Sequence, residues 1–228
     1  MAATTVVFRG ASYVGEALTE SEEALLKEEL GSYMATPNSF KAWLYKTNYE
    51  KIKGALEVAK SKFESTFAGM AASDSMIAMQ DIRPGHILRS TGATETPAND
   101  WTVSFTADGD YWVGYGTNNT TAINIDKELL LLLLGVWFTQ GVQPVVEELL
   151  VQVGQTAYPV EVIRDAWVAD NDWKIRAIPI KPLLLVPKDT CLIQSYSILA
   201  ATQELVLVGV AFGMGRLLRQ ASYSSVST

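Results

Sequence analysis

The sequence predicts a mainly β protein with an α-helical N-terminal region, and three observations carry that reading. Up to about residue 76 the apolar positions repeat at helical spacing. Beyond that point short runs rich in Val, Ile, Trp, Tyr and Thr alternate with turn clusters, with no helix between them. Among these runs stands DKELLLLLLGVWF, whose apolar block from Leu129 to Phe138 is too short to cross a membrane, since a spanning helix takes ~20 residues. Strands that follow one another directly pair antiparallel, in a sandwich or a barrel, and not as βαβ units.

In chain order, Thr19 stands three residues ahead of Glu22 as a capping box, with acids in the turn that follows. Pro37-Asn38 breaks the chain. Phe40, Trp43 and Leu44 then share a face, and Ile52, Leu56, Ala59, Phe63 and Phe67 continue at helical spacing. Lys51, Lys53, Glu57, Lys60, Lys62 and Glu64 lie mostly off that stripe. The result is an amphipathic helix for the chain's own core or for a neighbouring subunit. Residues 1–76 form this arm-and-helix region, and residues 77–228 form the β domain.

Strands are expected at Trp101–Thr106, Tyr111–Tyr115, Thr121–Ile125, Val145–Val153, Ala157–Ile163, Trp173–Ile180, Leu183–Val186, Cys191–Leu199 and Glu204–Phe212. Asp108-Gly109, Gly154-Gln155, Asp170-Asn171 and Pro187-Lys188 supply the turns. The leucine block admits three readings: buried helix, buried strand, or apolar contact surface. Its position among strands, and the strand-formers Val136, Trp137 and Phe138, favour a strand. A continuously apolar strand needs cover on both faces. The amphipathic helix supplies the second cover from within the chain, or a neighbouring subunit supplies it from outside.

Composition narrows the function. The net charge of −7 argues against direct binding of nucleic acid, which relies on Lys and Arg neutralising phosphates. One cysteine, Cys191, makes no internal disulfide, and it reads as a small buried hydrophobe. No basic segment precedes an apolar one at the N-terminus, so no secretory leader is expected and synthesis is placed in the cytoplasm. Asn118 and Asn119, in overlapping sequons, then mark a polar turn.

No catalytic, cofactor or metal constellation emerges. The single histidine, His86, lacks a nucleophile elbow and the companions that a zinc or cupin-type metal site requires. Glu147 and Glu148 are adjacent in a strand and point to opposite faces. Asp108 with Asp110, and Asp170 with Asp172, have the form of hairpin turns and lack an EF-hand series. Gly209, Gly213 and Gly215 lack the lysine of a phosphate loop, and they fit a strand that bends or approaches another backbone. Trp101, Tyr111, Trp112 and Tyr115 cluster in two adjacent strands and could form an aromatic platform for a carbohydrate or receptor.

GVQPVVEELLVQVGQTAYPVEVI gives a strand, a Gly turn and a Pro-bearing strand. IPIKPLLLVPKDTCLIQSYSILAATQELVLVGVAFG then leads through a polar link to two long apolar strands. In this order of strands and turns, residues from about 100 to 215 resemble the second half of a viral jelly-roll coat protein. The resemblance implies about eight strands in two sheets, and it turns the predicted fold into an antiparallel β-sandwich of jelly-roll type. It implies a self-assembling capsid subunit of the virion, a structural protein and not an enzyme. Its partners would be copies of itself, with other coat proteins or an internal membrane as further ones. Coats that package single-stranded genomes often carry a basic arm; here the N-terminal region balances its charges. Phe40, Trp43, Phe63 and Phe67 are then the candidate assembly surface.

Overall fold

The computed structural model describes residues 3–9, 11–35, 39–70, 73–86, 88–90, 95–97, 101–105, 109–112, 123–124, 128–138, 146–154, 156–158, 161–162, 177–187 and 189–218. The chain opens with a β-hairpin, β1 (Ala3–Phe8) and β2 (Ala11–Glu16), followed by α1 (Glu20–Met34), α2 (Phe40–Thr47) and α3 (Tyr49–Phe63). The strands that follow are β3 (Ile77–Asp81), β4 (Leu88–Ser90), β5 (Glu95–Pro97), β6 (Thr102–Phe105), β7 (Gly109–Trp112) and β8 (Ile123–Asn124). They continue as β9 (Leu129–Phe138), β10 (Val146–Val153), β11 (Thr156–Ala157), β12 (Glu161–Val162), β13 (Ala177–Leu185), β14 (Thr190–Ser197) and β15 (Ala201–Met214).

Local chemistry sets the helix ends. The Thr19 hydroxyl accepts from the Glu22 N–H, and the Glu22 carboxylate accepts from the Thr19 N–H at 2.9 Å, so the capping box is real. Ser39 caps α2 by accepting from the Ala42 N–H at 3.0 Å. Asn48 separates α2 from α3, donating to the Leu44 carbonyl through both its backbone N–H and its side-chain amide. The continuous periodicity from Phe40 to Phe67 is thus two helices. Phe67 lies past the end of α3, in a bridge with Ile77.

The main sheets are antiparallel. One runs β13-β9-β15-β3, with β6 also on β15; the other runs β11-β10-β14-β7, with β12 also on β10 and β8 also on β14. The leucine block is β9, hydrogen-bonded to β15 on one side and β13 on the other. Leu129, Leu131 and Leu133 enter an apolar cluster shared with Val146, Leu149 and Ile193 of the other sheet. Leu130, Leu132 and Leu134 enter a second cluster with Leu26, Leu30, Leu44, Ile52 and Leu56 of the helices. Each buried leucine contributes about 1.5–3 kcal/mol. Both faces of the strand are covered, and the chain's own helices supply the second cover.

β9 does not alternate cleanly to its end. Pairing with β15 jumps from Leu133↔Gly209 to Gly135↔Val208, leaving Leu134 as the extra residue of a bulge. Past the bulge Val136 joins the cluster between the sheets, and Gly135 lies under Phe40 and Leu44 of α2. Gly209 sits at this point because a side chain there would overlap the Leu132 carbonyl. The expected close approach of two backbones is found.

Two expectations need correction. Residues 3–16, read as part of a helical region, form the hairpin, which lies on α3 with Gly15 against Glu57 and Gly54 against Val6. The expected strands at 173–180 and 183–186 are one strand where described: β13 runs through both, with a pairing irregularity between Pro179 and Leu183. Residues 173–176 lie outside the described residues.

Candidate assembly surface

Buried polar anchors first fix the helical layer. Lys60 of α3 is 1% exposed and pairs with Glu22 of α1 at 2.7 Å and with Glu16 of β2 at 3.1 Å. It also donates to the Ala17 carbonyl. Glu22 accepts from the Phe67 N–H as well. Burial pushes the Glu22 carboxyl up, but Lys60 and the hydrogen bonds from Thr19 and Phe67 outweigh it and hold it below the usual range. Four segments therefore meet at one ion cluster.

A second anchor holds α2 against the first sheet. The Tyr45 hydroxyl donates to Asp81 at 2.7 Å and lies 2.8 Å from the Gly209 carbonyl. Burial, then the Asp81 charge, raises the Tyr45 pKa well above its ordinary value. Lys41 forms an ion pair with Asp81 and stands 4.6 Å from the centre of the Tyr33 ring. A helix pinned in this way presents its outer side chains in one orientation.

On that helix Phe40 rests partly buried over Gly135, and Trp43 stacks on it with ring centres 6.1 Å apart. Trp43 is 51% exposed. Trp137 is 48% exposed and follows Gly135 by two residues on β9, hence on the same face beyond the bulge. Phe40, Trp43 and Trp137 border the place where the helical layer stops and the sheet continues. The sequence marks Trp137 only as a strand-former and not as a surface residue. The bulge at Leu134, which reverses its face, is invisible to a plain two-residue alternation.

The other two assembly candidates belong to the chain's own packing. Phe67 is 3% exposed, and Phe63, the last residue of α3, is partly buried against the helix-side cluster. Of the off-stripe residues, Glu57 and Lys60 are buried beside the hairpin, with Thr4 donating to Glu57 at 2.9 Å, whereas Lys62 and Glu64 are exposed. The hairpin turns Thr5, Val7, Ser12 and Val14 outward, and Val14 is 64% exposed.

For the aromatic platform, Trp101 packs, partly buried, against the cluster between the sheets. Tyr111 and Trp112 lie on β7, opposite Ser195 and Gln194, and Tyr115 is outside the described residues. His86 is buried in a short 3-10 turn, its Nδ1 accepting from the Arg83 N–H at 3.1 Å and its Nε2 lying 3.0 Å from the Gln80 amide. Burial, with the Arg83 charge, lowers its pKa to about 4, so the ring is neutral at pH 7. Glu147 and Glu148 lie on β10, whereas Asp108, Asp170 and Asp172 are outside the described residues. Among the described residues no three His, Cys, Asp or Glu side chains gather to hold a metal, and no helix is long and apolar enough to cross a membrane.

Comparison of the chain with protein-family models, with curated proteins and with solved structures finds no match. The functional reading therefore rests on the chain's own fold and surfaces.

Proposed function

We propose that this chain is a jelly-roll coat subunit, a self-associating structural protein of a viral shell. The observation that carries the reading is strand order. Eight strand positions follow one another in the chain, with β11 and β12 counted as one position: β3, β7, β9, β10, β11/β12, β13, β14 and β15. In one sheet the order is sixth, third, eighth, first; in the other it is fifth, fourth, seventh, second. Among these eight positions every connection changes sheets except that from β10 to β11; β6, which pairs with β15, β8, which pairs with β14, and the β4–β5 pair stand outside this count. That interleaving supports reading the two sheets as the double Greek key of a jelly-roll sandwich, an architecture shared by viral coats and lectin-like domains. Fold alone does not give function. The coat reading draws also on the pinned half-exposed aromatics Phe40, Trp43 and Trp137, which suit a contact between subunits.

The partners in this reading are copies of the chain, joined through the edge where α2 meets β9. Contact with lipid is the weaker form, since Lys60 of α3 is buried, Lys53 pairs with Glu23, Lys51 caps the Val7 carbonyl, and the apolar face lies on the sheet. A carbohydrate-binding module is the second reading, and the packing of Trp101 into the core leaves less of its aromatic cluster for a sugar. Sedimentation of the purified full chain tests the coat reading. Assemblies well above monomer mass are expected, and they shrink when Trp43 and Trp137 are both replaced by Ser, with the thermal midpoint little changed. Monomer at every concentration, salt and pH would refute it.

A further inference from the structure

The hairpin has two outer edges, and they are treated differently. Phe8 pairs with Ala11, only three positions on in the chain, a closing pair that must exchange both ladder hydrogen bonds. Counting back along the register, Val6↔Tyr13 and Thr4↔Gly15 are also bonded pairs. Thr5 and Val7 on β1, and Ser12 and Val14 on β2, therefore turn their backbone N–H and C=O away from the hairpin. On the β1 edge the Val7 carbonyl is capped by Lys51 of α3 at 2.7 Å, a lysine guard of the kind that stops strand addition. The β2 edge has no such guard. Among the described residues nothing bonds the outward backbone groups of Ser12 and Val14. From Ala11 to Gly15 the strand carries no charge and no proline, and Val14 is the most exposed large hydrophobic side chain among the described residues.

We infer that the β2 edge is an assembly contact, which pairs antiparallel with β2 of a second copy across a two-fold axis at Val14, joining two hairpins into a four-stranded sheet. The inference rests on the self-association reading and names a contact for it. The edge is complementary to itself. A two-fold at Val14 sets Val14 against its own copy, Ser12 against Glu16 and Tyr13 against Gly15, so no like charges oppose each other. The uncharged outer face of Thr5, Val7 and Val14 becomes continuous across the axis. A two-stranded ribbon is marginal by itself, and two more strands strengthen it. A contact of one short strand is smaller than the ~1,200–2,000 Å² of a stable interface, so it is weak alone and gains its effect by repetition in a closed assembly.

Charge reversal in the full chain tests it. Val14→Lys and Val14→Glu each bring like charges together on the axis, so each variant alone associates at least about tenfold more weakly than wild type in sedimentation. An equimolar mixture recovers association, because Lys then meets Glu. Thr5→Lys, on the same exposed face but on the guarded edge, leaves association at the wild-type level. Circular dichroism melts confirm that each variant is folded, as expected for exposed positions. If the Val14 variants associate like wild type while wild type assembles, the pairing is overturned and the self-association reading stands. If they dissociate but the mixture does not recover, Val14 meets something other than its own copy and the two-fold pairing is overturned. Wild type that stays monomeric overturns both.

Discussion

Lys60 shows how single residues set this structure. Its ammonium is buried between Glu16 and Glu22, and those carboxylates keep its pKa above the ordinary value although burial alone would lower it. Removing one partner of a buried pair strands the other. Lys60→Met should therefore cost about 3–5 kcal/mol in urea unfolding, and adding Glu22→Gln should recover most of that loss. Equal stability of Lys60→Met and wild type would show that the cluster is solvated. His86 gives a pH signature of the opposite chemistry. Its folded pKa, about 4, lies below the unfolded 6.5, so the folded state binds fewer protons there. Its contribution is complete above pH 6.5 and is lost as pH falls toward 4, roughly 3 kcal/mol in all. His86→Phe should flatten the stability curve across that window relative to wild type, and an unchanged slope would assign the titration elsewhere.

At the scale of the element, β9 is the test of the layered architecture. Leu131 faces the second sheet and Leu132 faces the helices, so Leu131→Ala and Leu132→Ala should each cost about 2–5 kcal/mol in denaturant unfolding. A strand covered on one face would show a large loss at one position and almost none at the other. The two-sided cover was legible in the sequence because only burial on both faces accommodates an unbroken apolar strand. The capping box at Thr19 was legible for the same reason, since it is local chemistry. The hairpin was not. Its strands are short, and nothing in the sequence marks Gly15 of β2 and Gly54 of α3 as the points where hairpin and helix meet. The fate of Glu57 and Lys60 followed from that omission, because nothing in the helical periodicity shows a third layer above α3.

On the scale of the whole molecule, the hairpin packs on α3, and β9 joins the helix-side apolar cluster to the one it shares with β10 and β14. The mainly β class, most of the strands and the helical N-terminal region could be read from period and turn chemistry. The order of strands within the sheets could not, because pairing between β3 and β15, or β7 and β14, is nonlocal and leaves no mark in a single sequence. The surface was legible only in part. Phe40 and Trp43 lie at the edge of the helical layer, Phe63 and Phe67 turn inward, and Trp137 joins the edge through the bulge. Electron microscopy of the purified full chain, at the highest concentration it tolerates, tests the central claim most directly. The account predicts particles or arrays of one repeating subunit, each a two-sheet β wall with helices on one side. Dispersed single molecules under every salt and pH condition would contradict it.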